Sequence, residues 1–86
     1  MTIDEIINRI KEGETLSITC SRYEESIYSK GEEYRSYLED GINEYSKKVD
    51  EKYIIHEITR AILNSNYYDL YIGDEDVIKT IRKQGD

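Results

Sequence analysis

Cys20 and His56 are the sole thiol and the sole imidazole among 86 residues. A Cys-His pair for nucleophilic catalysis would have to be assembled from these two groups. Leu16-Ser17-Ile18-Thr19-Cys20 alternates apolar with polar, which places Cys20 on an inward face, where a free cysteine is more often a small packing residue than a nucleophile. His56 falls opposite Ile54, Ile58 and Ile62 on a helical wheel and is expected in solvent. His56-Glu57 is not a zinc motif, because no second histidine follows four positions on. Asp40-Gly41-Ile42-Asn43-Glu44 lacks the ligand spacing of a calcium loop. Asp74-Glu75-Asp76 reads as a solvated helix start in preference to a cation site. The chain is therefore expected to be no enzyme and to use no metal and no cofactor.

The carboxylates carry more information. Nineteen Asp and Glu stand against twelve Lys and Arg, a net charge of −7, and nine tyrosines are the only aromatic residues. Tyrosine joins an apolar ring to a hydrogen-bonding hydroxyl, which suits a surface that is wet when free and dry when bound. Acids flank many of these rings, as in Tyr23-Glu24-Glu25, Glu32-Glu33-Tyr34, Tyr37-Leu38-Glu39-Asp40 and Tyr71 ahead of Asp74-Glu75-Asp76. The plain reading is solubility, since most charge runs do no more than that. The functional reading is imitation of nucleic-acid phosphates, whose charges fall about every 1.7 Å along B-DNA, against a helix rise of about 1.5 Å per residue. On that reading the partner-binding residues are Glu24, Glu25, Glu32, Glu33, Glu39, Asp40, Asp74, Glu75 and Asp76, with Tyr67 and Tyr71 as aromatic anchors.

The basic residues are scattered, and Asp50 and Glu51 offset their densest cluster, Lys47-Lys48 with Lys52. Direct binding of DNA, RNA or an anionic membrane is disfavoured accordingly. A lone cysteine allows no internal disulfide and suits a reducing compartment. The acidic start at Met1-Thr2-Ile3-Asp4-Glu5 has no signal-peptide pattern, and no apolar run approaches the ~20 residues of a membrane span. A cytoplasmic protein is expected, in the host-cell cytoplasm if the chain is phage-encoded.

The elements that must position these groups form one domain over residues 1–86. Thr2 and Glu5 make a capping box, Ile3, Ile6, Ile7 and Ile10 a helical stripe, and Gly13 a stop. Leu16–Cys20 reads as a strand with Leu16, Ile18 and Cys20 inward. Ser21 with Glu24 and Ser29 with Glu32 repeat the capping-box spacing. Tyr23, Ile27, Tyr34, Tyr37, Leu38, Ile42, Tyr45 and Val49 fall within one arc at 100° per residue, so residues 22–48 are expected to be helical, with a break near Gly31. Asp50 caps a further helix through Ile54, Ile58 and Ile62. Asn64-Ser65-Asn66 is a turn, residues 67–72 a strand with Tyr68, Leu70 and Ile72 on one side, and a last helix starts at Gly73-Asp74 with Val77, Ile78 and Ile81 inward. The expected class is α+β and mostly helical: helix, strand, one or two helices, helix, strand, helix, with a small two-stranded sheet.

Met1-x-Ile3-x-x-Ile6-Ile7-x-x-Ile10-Lys11, the charged turn Glu12–Glu14 and the alternating strand that follows resemble the start of one family among the small acidic inhibitors of phages and mobile elements, the anti-CRISPR proteins that block Cas9. Those inhibitors continue with a three-stranded sheet, where residues 22–49 read here as helix, and no contact residue of the family aligns. The resemblance implies a stoichiometric inhibitor that covers the PAM-binding or guide-binding surface of a CRISPR effector, such as Cas9 or a Cascade component, with acidic side chains. PAM readers use arginines, which carboxylates engage bidentately. A second expectation, of a different class, is a small regulatory or assembly module that self-associates through its helices as a homo-oligomer.

Overall fold

The computed structural model of the protein describes residues 1–20, 24–37 and 43–85. Its elements run α1 (Ile3–Lys11), β1 (Leu16–Cys20), β2 (Glu24–Ser29), β3 (Glu32–Tyr37), β4 (Asn43–Lys48), α2 (Glu51–Leu63), β5 (Tyr68–Ile72), β6 (Glu75–Asp76) and α3 (Val77–Gly85). The strands form one six-stranded sheet in the order β4-β3-β2-β1-β5-β6, with every neighbouring pair antiparallel. This overturns the expected mostly helical class with a two-stranded sheet.

The difference lies in residues 24–37 and 43–48, which form three strands in place of one or two helices. Lys30 and Gly31 both take positive φ, 48° and 77°, as the two central residues of a type I′ hairpin turn do. That turn fixes the register of β2 against β3, with Ser29 opposite Glu32 and Tyr28 opposite Glu33. Ser29 and Glu32 are thus cross-strand partners, not a capping box, and Gly31 sits in a turn, not at a helix break. The parts of the helical expectation at 21–23 and 38–42, including the Ser21 cap and Gly41, lie outside the described residues.

Register sorts the strands into two faces. Leu16 stands opposite Tyr28 and Ile72, and Ile18 opposite Ser26 and Leu70. All of these are buried, and the apolar ones form one core with Ile6, Ile7 and Ile10 of α1, Ile54, Ile58 and Ala61 of α2, and Val77 of α3. The helices therefore deliver their buried residues to one side of the sheet. Each large apolar side chain so buried contributes about 1.5–3 kcal/mol, and this single layer of helices on sheet holds the fold together.

Local signals agree with the sequence elsewhere. The Thr2 hydroxyl accepts the Glu5 amide at 3.2 Å, and Asp50 accepts the Tyr53 amide at 2.8 Å, so both helices start at the caps that the sequence marks. Gly13 follows α1 with φ 106°. α3, however, begins at Val77, and Glu75–Asp76 is a short strand. Asp74, Glu75 and Asp76 therefore do not form the first turn of the last helix; Asp76 alone caps it, accepting the Lys79 amide at 3.0 Å.

Candidate partner-binding face

The side of the sheet opposite the core is built by the alternate residues of each strand. One row runs Asp76, Tyr71, Ser17, Ile27, Tyr34, Ser46 across all six strands. Beside it Asp69, Thr19, Glu25 and Ser36 make a second row, and Ser29, Glu32 and Lys48 a third. None of these side chains is fully buried. At about 4.8 Å per strand, Tyr71 and Tyr34 stand roughly 14 Å apart, with the small side chain of Ser17 and the methyls of Ile27 between them. The result is a short row of one polar and one apolar side chain with a ring at either end. Tyr34 is 47% and Tyr71 40% exposed.

Each ring has a carboxylate at its hydroxyl. The Tyr34 hydroxyl donates to Glu32 Oε2 at 2.6 Å, and this bond raises the phenol above its ordinary pKa. The negative charge of Asp76 raises Tyr71 in the same direction, with partial burial and Asp69 adding to it. Ser17 donates to Glu25 Oε1 at 3.3 Å. Among the described strand residues, Glu25, Glu32, Asp69 and Asp76 are carboxylates whose register places them on this face, and Lys48 is the one cation so placed. Arg35 and Lys47 have the opposite parity and lie on the helix side.

The eleven residues that the sequence singles out are thus divided. Glu25, Glu32, Tyr71 and Asp76 share the open face. Glu24 lies on the helix side, opposite Cys20 and Tyr37. Glu33 is wholly buried and cannot meet a partner. Glu75 is held by Arg9, whose Nη1 donates to its Oε2 at 2.6 Å while Nε binds Glu14. Asp74 is exposed in the turn between β5 and β6. Tyr67, 66% exposed, stands at the turn ahead of β5. Glu39 and Asp40 lie outside the described residues. Ile27, Tyr34 and Asp69 also belong to the face: the first two stand on the expected helical stripe, where the Lys-Gly pair between two alternating segments is the signal for strands, and Asp69 lies in the segment expected as a strand.

On the helix side the charges turn inward. Arg35 Nη2 lies 2.8 Å from Glu33 Oε1, a close charge pair that is not aligned as a hydrogen bond. Arg35 Nε also donates to Ser26 Oγ at 3.0 Å, and Nη2 to the Tyr53 hydroxyl at 3.4 Å. Lys47 Nζ sits 4.5 Å from the centre of the Tyr53 ring, and Tyr28 and Tyr53 make a tilted pair at 6.4 Å. Burial, then the Glu33 charge, pushes the Tyr28 phenol far above its ordinary range. This cluster uses Glu33, Arg35 and Lys47 to close the polar end of the core.

The two groups that a Cys-His pair would need lie on different elements. Cys20 is half-buried on the helix side, opposite Tyr68, and His56 is exposed on α2. Among the described residues no group of three or more His, Cys, Asp and Glu is placed to hold a metal ion, and no helix is long and apolar enough to cross a membrane. Comparison with protein-family models, with curated proteins and with solved structures finds no match.

Proposed function

We propose that the protein is a non-enzymatic binding protein whose open sheet face covers a basic, nucleic-acid-handling surface of a larger protein, in the manner of an anti-CRISPR inhibitor. The observation that carries this reading is the segregation of charge on that face: Glu25, Glu32, Asp69 and Asp76 against Lys48, around two exposed rings. Carboxylates fixed on a sheet are held more rigidly than on a loop, and arginine forks built for phosphate accept them bidentately. The tyrosines supply apolar area that a salt-sensitive charge contact alone lacks.

Self-association through helices has less to rest on. Among the described residues, Leu63 is the one large apolar side chain exposed on a helix; Tyr34, Tyr67 and Tyr71 lie on strands or a turn.

Competition tests the proposal. Guide-loaded Cas9 is offered a PAM-bearing duplex with rising amounts of this protein at low and high salt. The protein should displace the duplex at low salt and lose that ability steeply as salt rises. Failure to displace it at low salt would remove the proposal's partner class.

A further inference from the structure

Away from the open face, a cleft of about 330 Å³ lies where the end of α1, the β2–β3 turn and the start of α2 meet. Ile7, Ile10, Val49 and Ile54 give it an apolar lining. The Val49 amide donates to the Gly31 carbonyl at 2.9 Å, which ties the turn to the start of α2 and keeps the cleft's walls together. This volume is at the lower end of the range for small-molecule sites, roughly 300–1,000 Å³.

Its charged lining is asymmetric. Lys11 and Glu51 both reach the cleft, but Lys11 Nζ lies 3.5 Å from Glu51 Oε2 and the two offset each other. Lys30 is exposed, with no hydrogen bond or ion pair among the described residues, and leaves one positive charge at the mouth of the cleft. Its backbone makes that placement notable. Lys30 is the one non-glycine residue at positive φ among those described, at 48°. A left-handed conformation costs a side-chain-bearing residue about 1–2 kcal/mol, and asparagine or glycine takes this turn position at less cost. An ammonium with no partner among the described residues, beside an apolar hollow, has the form of an anchor for an anionic head.

We propose that this cleft binds a small amphiphilic anion, an apolar body of about eight carbons or an equivalent ring carrying a single anionic head. The body lies on Ile7, Ile10, Val49 and Ile54, and Lys30 takes the head. None of these residues belongs to the open sheet face, so the site stands or falls separately from the proposed partner contact.

An NMR titration of backbone amides with octanoate, octan-1-ol and octylamine tests this on the wild-type chain and on Lys30→Asn. Asparagine is well suited to the left-handed turn, so the variant keeps the fold. Octanoate should shift the amides of Ile7, Ile10, Lys30, Gly31, Val49 and Ile54. Lys30→Asn should weaken octanoate about tenfold, the loss of one charge-assisted contact, and leave octan-1-ol unchanged. Octanoate that moves none of these amides would overturn the site. Octylamine that binds as tightly as octanoate, or octanoate that is indifferent to Lys30→Asn, would overturn the anion preference.

Discussion

At the scale of single residues, the sign of a charge says less than the side of the sheet on which it lies. Glu32 and Glu33 are neighbours in sequence, yet Glu32 takes the Tyr34 hydroxyl on the open face while Glu33 is fully buried beside Arg35. Strand parity alone separates a residue of the open face from one of the core. Because Glu33 has no access to water, Arg35→Met should leave an uncompensated buried carboxylate and destabilise the fold by about 3–5 kcal/mol. Replacing both residues, as Glu33→Met with Arg35→Met, should recover most of that loss. Urea unfolding of the two variants decides it; a single variant no worse than the double would show that the pair is not closed to solvent.

At the scale of elements, α1, β1, α2 and β5 were legible, while the middle and the start of the last helix were not. α1, β1 and α2 were readable because cap, stripe and stop coincide: Thr2 with the isoleucines and Gly13, and Asp50 ahead of Ile54 and Ile58. In the middle, a serine three residues before a glutamate has the spacing of a capping box and equally that of the two positions flanking a two-residue hairpin turn. Ser29 and Glu32 are the second. The helical stripe also gathered tyrosines that the strands put to different uses, and it left out Tyr28, the largest of the wholly buried side chains. Helical phase is a weak guide where tyrosines serve both the core and the surface. The acid-tyrosine surface was legible as composition; its membership was not, since Asp69 and Tyr34 enter only through register. The hairpin itself can be probed at Gly31. Its φ is 77°, and an added Cβ would meet only the Val49 carbonyl oxygen, at 3.9 Å. Gly31→Ala should therefore cost about 1 kcal/mol, from backbone conformation alone, as a lower urea midpoint with unchanged slope. No loss would contradict the type I′ turn.

At the scale of the whole molecule, a one-sided sheet leaves the tyrosines in two populations, and pH should expose both. Burial and nearby carboxylates raise Tyr28 and Tyr53 above the ordinary value of 10.0, and partial burial raises Tyr68 with them. A phenol raised on folding is neutral in both states below pH about 10 and costs nothing there. Above that pH the unfolded chain ionises and the folded one does not, so stability falls as pH climbs towards the folded values. Urea midpoints should therefore hold level up to about pH 10 and decline beyond it. Phenolate absorbance should show Tyr28 ionising only as the chain unfolds. A stability that rises above pH 10 would refute the buried placement of these rings.

The open face is the other consequence of this architecture, and the account depends on it. Its direct test is the affinity of guide-loaded Cas9 for the wild-type chain, for Glu25→Lys with Glu32→Lys and Asp69→Lys, and for a control reversing Glu5, Glu12 and Glu57 away from that face. The three open-face reversals should abolish binding, with loss well beyond a hundredfold, since like charges then meet at each contact, while the control, with the same change in net charge, binds within a few-fold of wild type. Equal loss in both variants would show that net charge, and not this face, is what the partner reads.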